Sequence, residues 1–238
     1  MESQLPLASL MFVAPLLIVY ELGVVLLGPE AIRNGAEVWM RQLLAALGIG
    51  QYFVLPMLTV TLLLVSHYFT GRRWYVPSTT LWGMAVESVL LAVVLRLLLG
   101  LQSVVFGYLG GFDKTPLDFL AAQASPPYTS EVAAKAVAYL GAGVYEELVF
   151  RLIFLTAIAN GFRLTGLPVR SAHILGICLN SVLFAAAHYV GPMGEAFGLF
   201  GMLFRLVAGI FFGLLFLNRG FGIAAGSHAV YDLLVGLV

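Results

Sequence analysis

Of the 238 residues, 61% are hydrophobic and 10% are charged, with a mean hydropathy of +0.99, so a water-soluble fold is excluded. The formal net charge is zero and Lys and Arg are spread thinly, which sets aside nucleic acid and other polyanions as partners. The length suits a single transmembrane domain over 1–238, an all-α polytopic bundle of about seven to eight spans enclosing a polar cavity.

A hydrocarbon core of about 30 Å needs roughly 20 apolar residues per helix. That window predicts spans near 7–28, 51–69, 81–106, 131–158, 172–193, 197–217 and 222–238. The first is read as a retained span rather than a secretory signal: the residues before it include Glu2 and no Lys or Arg, and the apolar run is long and lacks a small-x-small cleavage site. Between the first two spans, Trp39, Met40, Leu43, Leu44 and Leu47 recur at helical spacing beside Glu37, Arg41 and Gln42, the pattern of a helix lying in the interface or of the wet start of a longer span. Breakers mark the connections at Gly28-Pro29-Glu30, Gly71-Arg72-Arg73, the stretch from Gly110 to Ser130, Gly161 to Arg170, and Gly191-Pro192. No linker, internal repeat or low-complexity tract interrupts this plan.

With seven spans, Arg72, Arg73, Arg163, Arg170 and Arg219 fall on the N-terminal side, against Arg33, Arg41 and Lys114 on the other. This favours a cytoplasmic N-terminus, although one more crossing over 36–50 would reverse the later loops. The protein is therefore expected to be integral and multi-pass, in a cell inner or plasma membrane or an endomembrane. The single cysteine, Cys178, has no intrachain disulfide partner and reads as a small core residue. The last span is short, with Gly222 and Gly226 near its start, so 218–226 is expected to enter the interior as irregular backbone beside a wet cavity.

Chemistry concentrates in 141–238. The run Tyr145-Glu146-Glu147-Leu148-Val149-Phe150-Arg151 sits mid-span, where each charge costs about 2.5–3.5 kcal/mol unless it faces water or a partner. Glu147 and Arg151 stand at i and i+4, on one helix face, where carboxylate and guanidinium form a charge-assisted pair. Glu146 points about 100° away. Glu147, paired to a permanent cation, is expected to stay ionised and orient the site. Glu146, desolvated and without a partner in its own helix, is the group suited to take a proton from water. The next span ends Phe184-Ala185-Ala186-Ala187-His188, and the last carries His228-Ala229-Val230-Tyr231-Asp232, where Asp232 stands one turn from His228 and is expected to orient it and fix its tautomer. Glu, His and His with Asp as three successive odd polar positions of otherwise apolar spans are hard to explain by packing alone.

Glu146-Glu147-x-x-x-Arg151, Phe184-x-x-x-His188 and His228-x-x-x-Asp232, in that order, resemble the three motifs of the CPBP (Abi) family, which includes the type II CAAX prenyl endoproteases and bacteriocin-processing relatives. Phe204, Gly209 and Gly213 resemble the family's glycine-spaced helix, whereas 1–130 carries no family motif. The resemblance implies an intramembrane endopeptidase in which Glu146 activates water, with His188 and His228 polarising the carbonyl or stabilising the oxyanion. Asp232 falls where the prenyl proteases commonly have Asn, and an ionised Asp donates no hydrogen bond, so it acts through His228 unless it is protonated. The implied partners are membrane lipids and a hydrophobic or lipidated peptide or protein, prenylated CAAX-type substrates included, and no cofactor is expected. A zinc reading stays open, because Glu plus two His is also a catalytic ligand set, although no His-Glu-x-x-His pair is present.

Two readings from other classes compete: a non-catalytic immunity or scaffold protein using the polar cluster for packing or partner binding, and a transporter with a proton-relay glutamate, for which no inverted repeat is visible. Elsewhere, Glu21, Glu87, Arg96 and Arg205 are read as snorkelling or packing residues, with Glu87 or Arg205 a candidate to line the cavity. His67 and His173 fall at interfacial depth.

Overall fold

The computed structural model describes residues 2–28, 31, 33–50, 52–109, 129–191 and 194–237. The Pro-rich connection over 110–128, together with Pro29, Glu30 and Pro192, lies outside the described residues. Those described are helical apart from short connections: α1 (Pro6–Leu27), α2 (Gly35–Ala46), α3 (Val54–Thr70), α4 (Ser78–Leu109), α5 (Thr129–Glu147), α6 (Thr156–Leu164), α7 (Val169–Ala187), α8 (Leu199–Arg219) and α9 (Phe221–Gly236). A π-helical segment, Leu148–Leu155, joins α5 to α6 without a break. Helices α1, α4, α7 and α8 are long and apolar enough to cross a membrane, and α3 is a shorter apolar helix of 17 residues. The architecture is a helical membrane bundle with many large apolar side chains turned outward, such as Leu26, Trp82 and Leu97.

Helix α2 accounts for the amphipathic stretch after the first span. Asn34 caps it, its side chain accepting from the Glu37 amide at 2.8 Å. The Glu37 carboxylate is fully buried and accepts from Arg33 Nη1 and Arg41 Nε, each at 2.5 Å, and from the Tyr20 hydroxyl of α1. Arg41 also donates to the Tyr52 carbonyl at 2.7 Å, and Tyr145 of α5 donates to Glu21. Buried charges persist only when paired and hydrogen-bonded, so this network fixes α2 against α1 and α5.

At the centre lies α9, packed on α1, α4, α5 and α8, with every residue from Phe221 to Ala229 buried. Here the structure departs from the expected irregular backbone over 218–226. The break is confined to Gly220, at φ +92°, where a side chain would be strained and would also meet the backbone of Gln4. From Phe221 the chain is helical, because a buried segment best satisfies its own amides and carbonyls in a helix. The two glycines expected to loosen it are packing surface: a Cβ at Gly222 would lie 2.8 Å from the Ser9 Cα of α1 and one at Gly226 2.8 Å from Ser88 Oγ of α4, and from the α5 side a Cβ at Gly143 would lie 2.6 Å from both Cβ and N of Ala229. Cys178 is a second correction, since it is exposed on α7 rather than in the core. His67 is fully buried, with Nε2 3.3 Å from the Arg73 carbonyl.

Gly143→Leu is expected to push α5 from α9 and cost about 1–3 kcal/mol or more by overpacking. Gly161→Ala, with nothing within 4 Å of the added carbon, should be neutral or stabilising by up to about 1 kcal/mol. Thermal unfolding of the two purified variants in one detergent checks the contrast.

Candidate active site

The site is built where α5 ends. The widening of the backbone after Glu147 gives i to i−5 contacts, including Thr156 Oγ1 donating to the Arg151 carbonyl at 3.3 Å, and such segments are frequent at functional sites. Glu147 and Arg151, both fully buried, meet with Oε2 to Nε at 3.2 Å. The Arg151 guanidinium also donates to the Gly209 carbonyl at 3.4 Å and lies 4.3 Å above the Phe184 ring and 5.5 Å from that of Phe212. The cation thus ties α5 to α7 and α8. The glycine-spaced face of α8 assists, since a Cβ at Gly209 would lie 2.9 Å from the Ser181 Cα of α7.

The second oxygen of Glu147 reaches α9, with Oε1 2.8 Å from His228 Nδ1. A carboxylate only accepts, so Nδ1 carries the proton and Nε2 faces the cavity. This corrects the expected role of Asp232. Glu147, rather than Asp232, orients His228 and fixes its tautomer, while Asp232 Oδ2 stands 3.5 Å from Nε2, on the side that faces the cavity. The Phe212 ring stacks on His228 at 4.6 Å and 14°, holding the imidazole plane.

His188 follows the last turn of α7, with Nδ1 2.8 Å from the Phe184 carbonyl, so its Nε2 is again the nitrogen turned inward. Glu146 Oε2 lies 3.9 Å from His188 Nε2 and 3.9 Å from His228 Nε2. These distances are too long for direct hydrogen bonds and suit one bridging molecule. The structure therefore brings Glu146, His188, His228 and Asp232 together, with Glu147 and Arg151 behind them.

Two cavities flank His188 and Glu195. One, of about 230 Å³, is lined by His228, Asp232, Tyr139 and Arg205; the other, of about 190 Å³, is lined by Glu146, Phe150 and the Asn34 and Trp39 end of α2. Of the two cavity candidates, Arg205 lines the first, whereas Glu87 forms an ion pair with Arg219 at 2.5 Å instead. Motif spacing pointed to neither Glu195 nor Trp39 as a site residue: the helical spacing of Trp39 marks only an amphipathic face, Glu195 lies in a connection, and packing brings each to a cavity wall.

The inward Nε2 atoms have the tautomer of metal ligands. However, bonds of 2.0–2.1 Å to a tetrahedral zinc would put donor atoms about 3.4 Å apart, and Glu146 stands wider than that from both rings. Among the described residues no group of three or more His, Cys, Asp or Glu is arranged to hold a metal ion, so the donors do not fit one.

Residues 129–234 match the family model of the type II CAAX prenyl endopeptidase Rce1-like proteins, a span that holds all six site residues. No curated protein and no solved structure matches the chain.

Removing one member of a buried ion pair leaves the other uncompensated, at about 3–5 kcal/mol. Glu147→Ala is expected to lose stability on that scale, while Glu146→Gln, which leaves the Glu147–Arg151 pair intact, should change it by roughly 1 kcal/mol or less. Equal losses on thermal unfolding would show that both glutamates hold helices together.

Proposed function

With residues 129–234 forming an Rce1-like domain, we propose that the protein is a multi-pass intramembrane endopeptidase that hydrolyses a peptide bond in a hydrophobic or lipidated substrate, CAAX-type prenylated chains among them. The observation that carries the reading is Glu146 Oε2, 3.9 Å from two imidazole Nε2 atoms at the wall of a cavity inside the bundle.

A water in that gap gives a proton to Glu146, and its oxygen attacks the substrate carbonyl carbon. The carbonyl oxygen becomes an oxyanion and accepts from the ring N–H of His188 or His228. Each ring already carries a proton on Nδ1, so donation from Nε2 needs the imidazolium, and Glu146, Glu147 and Asp232 around His228 are the counter-charges it requires. An ionised Asp232 has no proton to donate and acts by holding one on His228 Nε2. When the tetrahedral species collapses, the C–N bond breaks and the proton on Glu146 passes to the leaving amine. Arg151 takes no part in proton transfer; it keeps Glu147, and through it His228, in place.

Glu146→Gln should lower turnover of a quenched fluorescent, S-farnesylated peptide at least 10²-fold with the unfolding temperature retained, and His228→Ala should lower it by about 10²–10³. Full turnover by Glu146→Gln would remove that residue as the base. Because the donor set does not fit zinc, initial rates should survive a membrane-permeant chelator, and metal analysis of the purified protein should find far less than one equivalent. Loss of activity on chelation, reversed by Zn²⁺, would replace the glutamate mechanism and leave the peptidase reading standing.

A further inference from the structure

The Tyr231 hydroxyl is buried and has no hydrogen-bond partner among the described residues. Its ring lines the larger cavity beside His228 and Asp232 and stacks on Phe204 of α8, with centroids 5.8 Å apart and planes at 29°. On α9 it follows His228 by three positions and precedes Asp232, so it shares the helix face that carries both. The ring does not need its oxygen to pack, since a phenyl group would stack on Phe204 in the same way. A buried hydroxyl with nothing to bond is unfavourable, and a partner that arrives with a ligand removes that cost. Ser88 of α4 is the contrast. Its Oγ is also buried without a partner, but it lines neither cavity and faces Gly226 of α9, where an added Cβ would lie 2.8 Å away.

Hydrolysis at this site is short of neutral hydrogen-bond donors. Nδ1 of His188 lies on a backbone carbonyl and Nδ1 of His228 on a carboxylate, so each neutral ring turns a bare Nε2 inward, and an ionised Asp232 only accepts. These groups donate to an oxyanion only after binding a further proton. A phenol donates while neutral.

Resting on the peptidase reading, we propose that Tyr231 is a further catalytic residue, whose hydroxyl donates a hydrogen bond to the carbonyl oxygen of the bond being cut. As water adds to the carbonyl carbon, the π pair of the C=O bond moves onto that oxygen and the hydrogen bond strengthens. Tyr231 keeps its proton throughout; when the carbonyl re-forms and the C–N bond breaks, the contact weakens again. The oxygen carries its charge only after attack, so the contact stabilises the transition state more than the bound peptide. The hydroxyl therefore acts on turnover and leaves substrate affinity nearly unchanged. Without a partner in the resting protein it is also a source of instability, so activity and stability oppose each other at this position.

The experiment uses Tyr231→Phe, with Ser88→Ala as the comparison, each in the full-length chain in nanodiscs. Turnover is measured with the quenched fluorescent, S-farnesylated peptide. The dissociation constant of a fluorescent form of the same peptide is measured by anisotropy on chains that also carry Glu146→Gln, and thermal unfolding is followed in parallel. Tyr231→Phe should lower kcat and kcat/KM together by about 10²-fold or more. Its dissociation constant should stay within about twofold of that of the parent chain, and it should unfold at the wild-type temperature or above. Ser88→Ala should keep kcat. A kcat for Tyr231→Phe within about twofold of wild type, or a weaker dissociation constant with kcat retained, overturns the donor role. A lower unfolding temperature overturns it too, by showing that the hydroxyl belongs to the packing, and so does an equal fall of kcat in Ser88→Ala. Each of these results is read against a wild-type chain that cleaves the peptide and so leaves the peptidase reading standing. A wild-type chain that binds the peptide without cleaving it overturns that reading and the donor role with it.

Discussion

A guanidinium with no access to water has to be matched by a carboxylate and by further acceptors, and Arg151 imposes that requirement on the whole C-terminal half. It occupies one oxygen of Glu147, takes the Gly209 carbonyl, and lies against Phe184 and Phe212. Each of these contacts fixes a neighbour of the site: Phe184 supplies the carbonyl that orients His188, Phe212 holds the plane of His228, and the remaining oxygen of Glu147 sets the His228 tautomer. A pair that contributes little net stability in a low-dielectric interior can still specify one arrangement of the helices around it, and here it does so for α5, α7, α8 and α9.

Two polar clusters border the cavity that contains Glu146. One is this site; the other is the Glu37 network that holds α2 against α1. Since the α2 end at Asn34 and Trp39 lines the cavity that contains Glu146, the second cluster sets the wall facing the proposed base. The N-terminal half, which lies outside the segment that matches the Rce1-like family, thereby shapes the site without contributing any of its motif residues.

Sequence periodicity made some of this legible and hid the rest for physical reasons. Glu147 and Arg151 share one helix, so i and i+4 spacing was enough to pair them. The same spacing pointed to Asp232 as the orienter of His228, yet an imidazole has two distinct nitrogens, and only the packing of α9 on α5 decides that Glu147, 81 positions away, takes Nδ1. Cys178 was read as core because hydropathy cannot separate a side chain facing lipid from one facing protein when both surroundings are apolar. Gly222 and Gly226 suggested loose backbone because glycine weakens an isolated helix, whereas inside a bundle the lack of a side chain is what lets helices approach. The break at Gly220 was therefore placed in the right region and given too great an extent.

The buried position of α9 bears on how the protein is made. Its 16 residues reach about 24 Å, short of a hydrocarbon core of about 30 Å, and they carry Ser227, His228 and Asp232. Such a segment has little tendency to partition into lipid unaided. It also follows in chain order every helix that encloses it, so a receptor formed by α1, α4, α5 and α8 has to exist before α9 is stable. During synthesis the glutamates would enter the membrane first and the His228 ring would join them only when that receptor closes. A partly inserted chain would then lack the His228 ring beside the two glutamates, so the polar site would be complete only when insertion is finished.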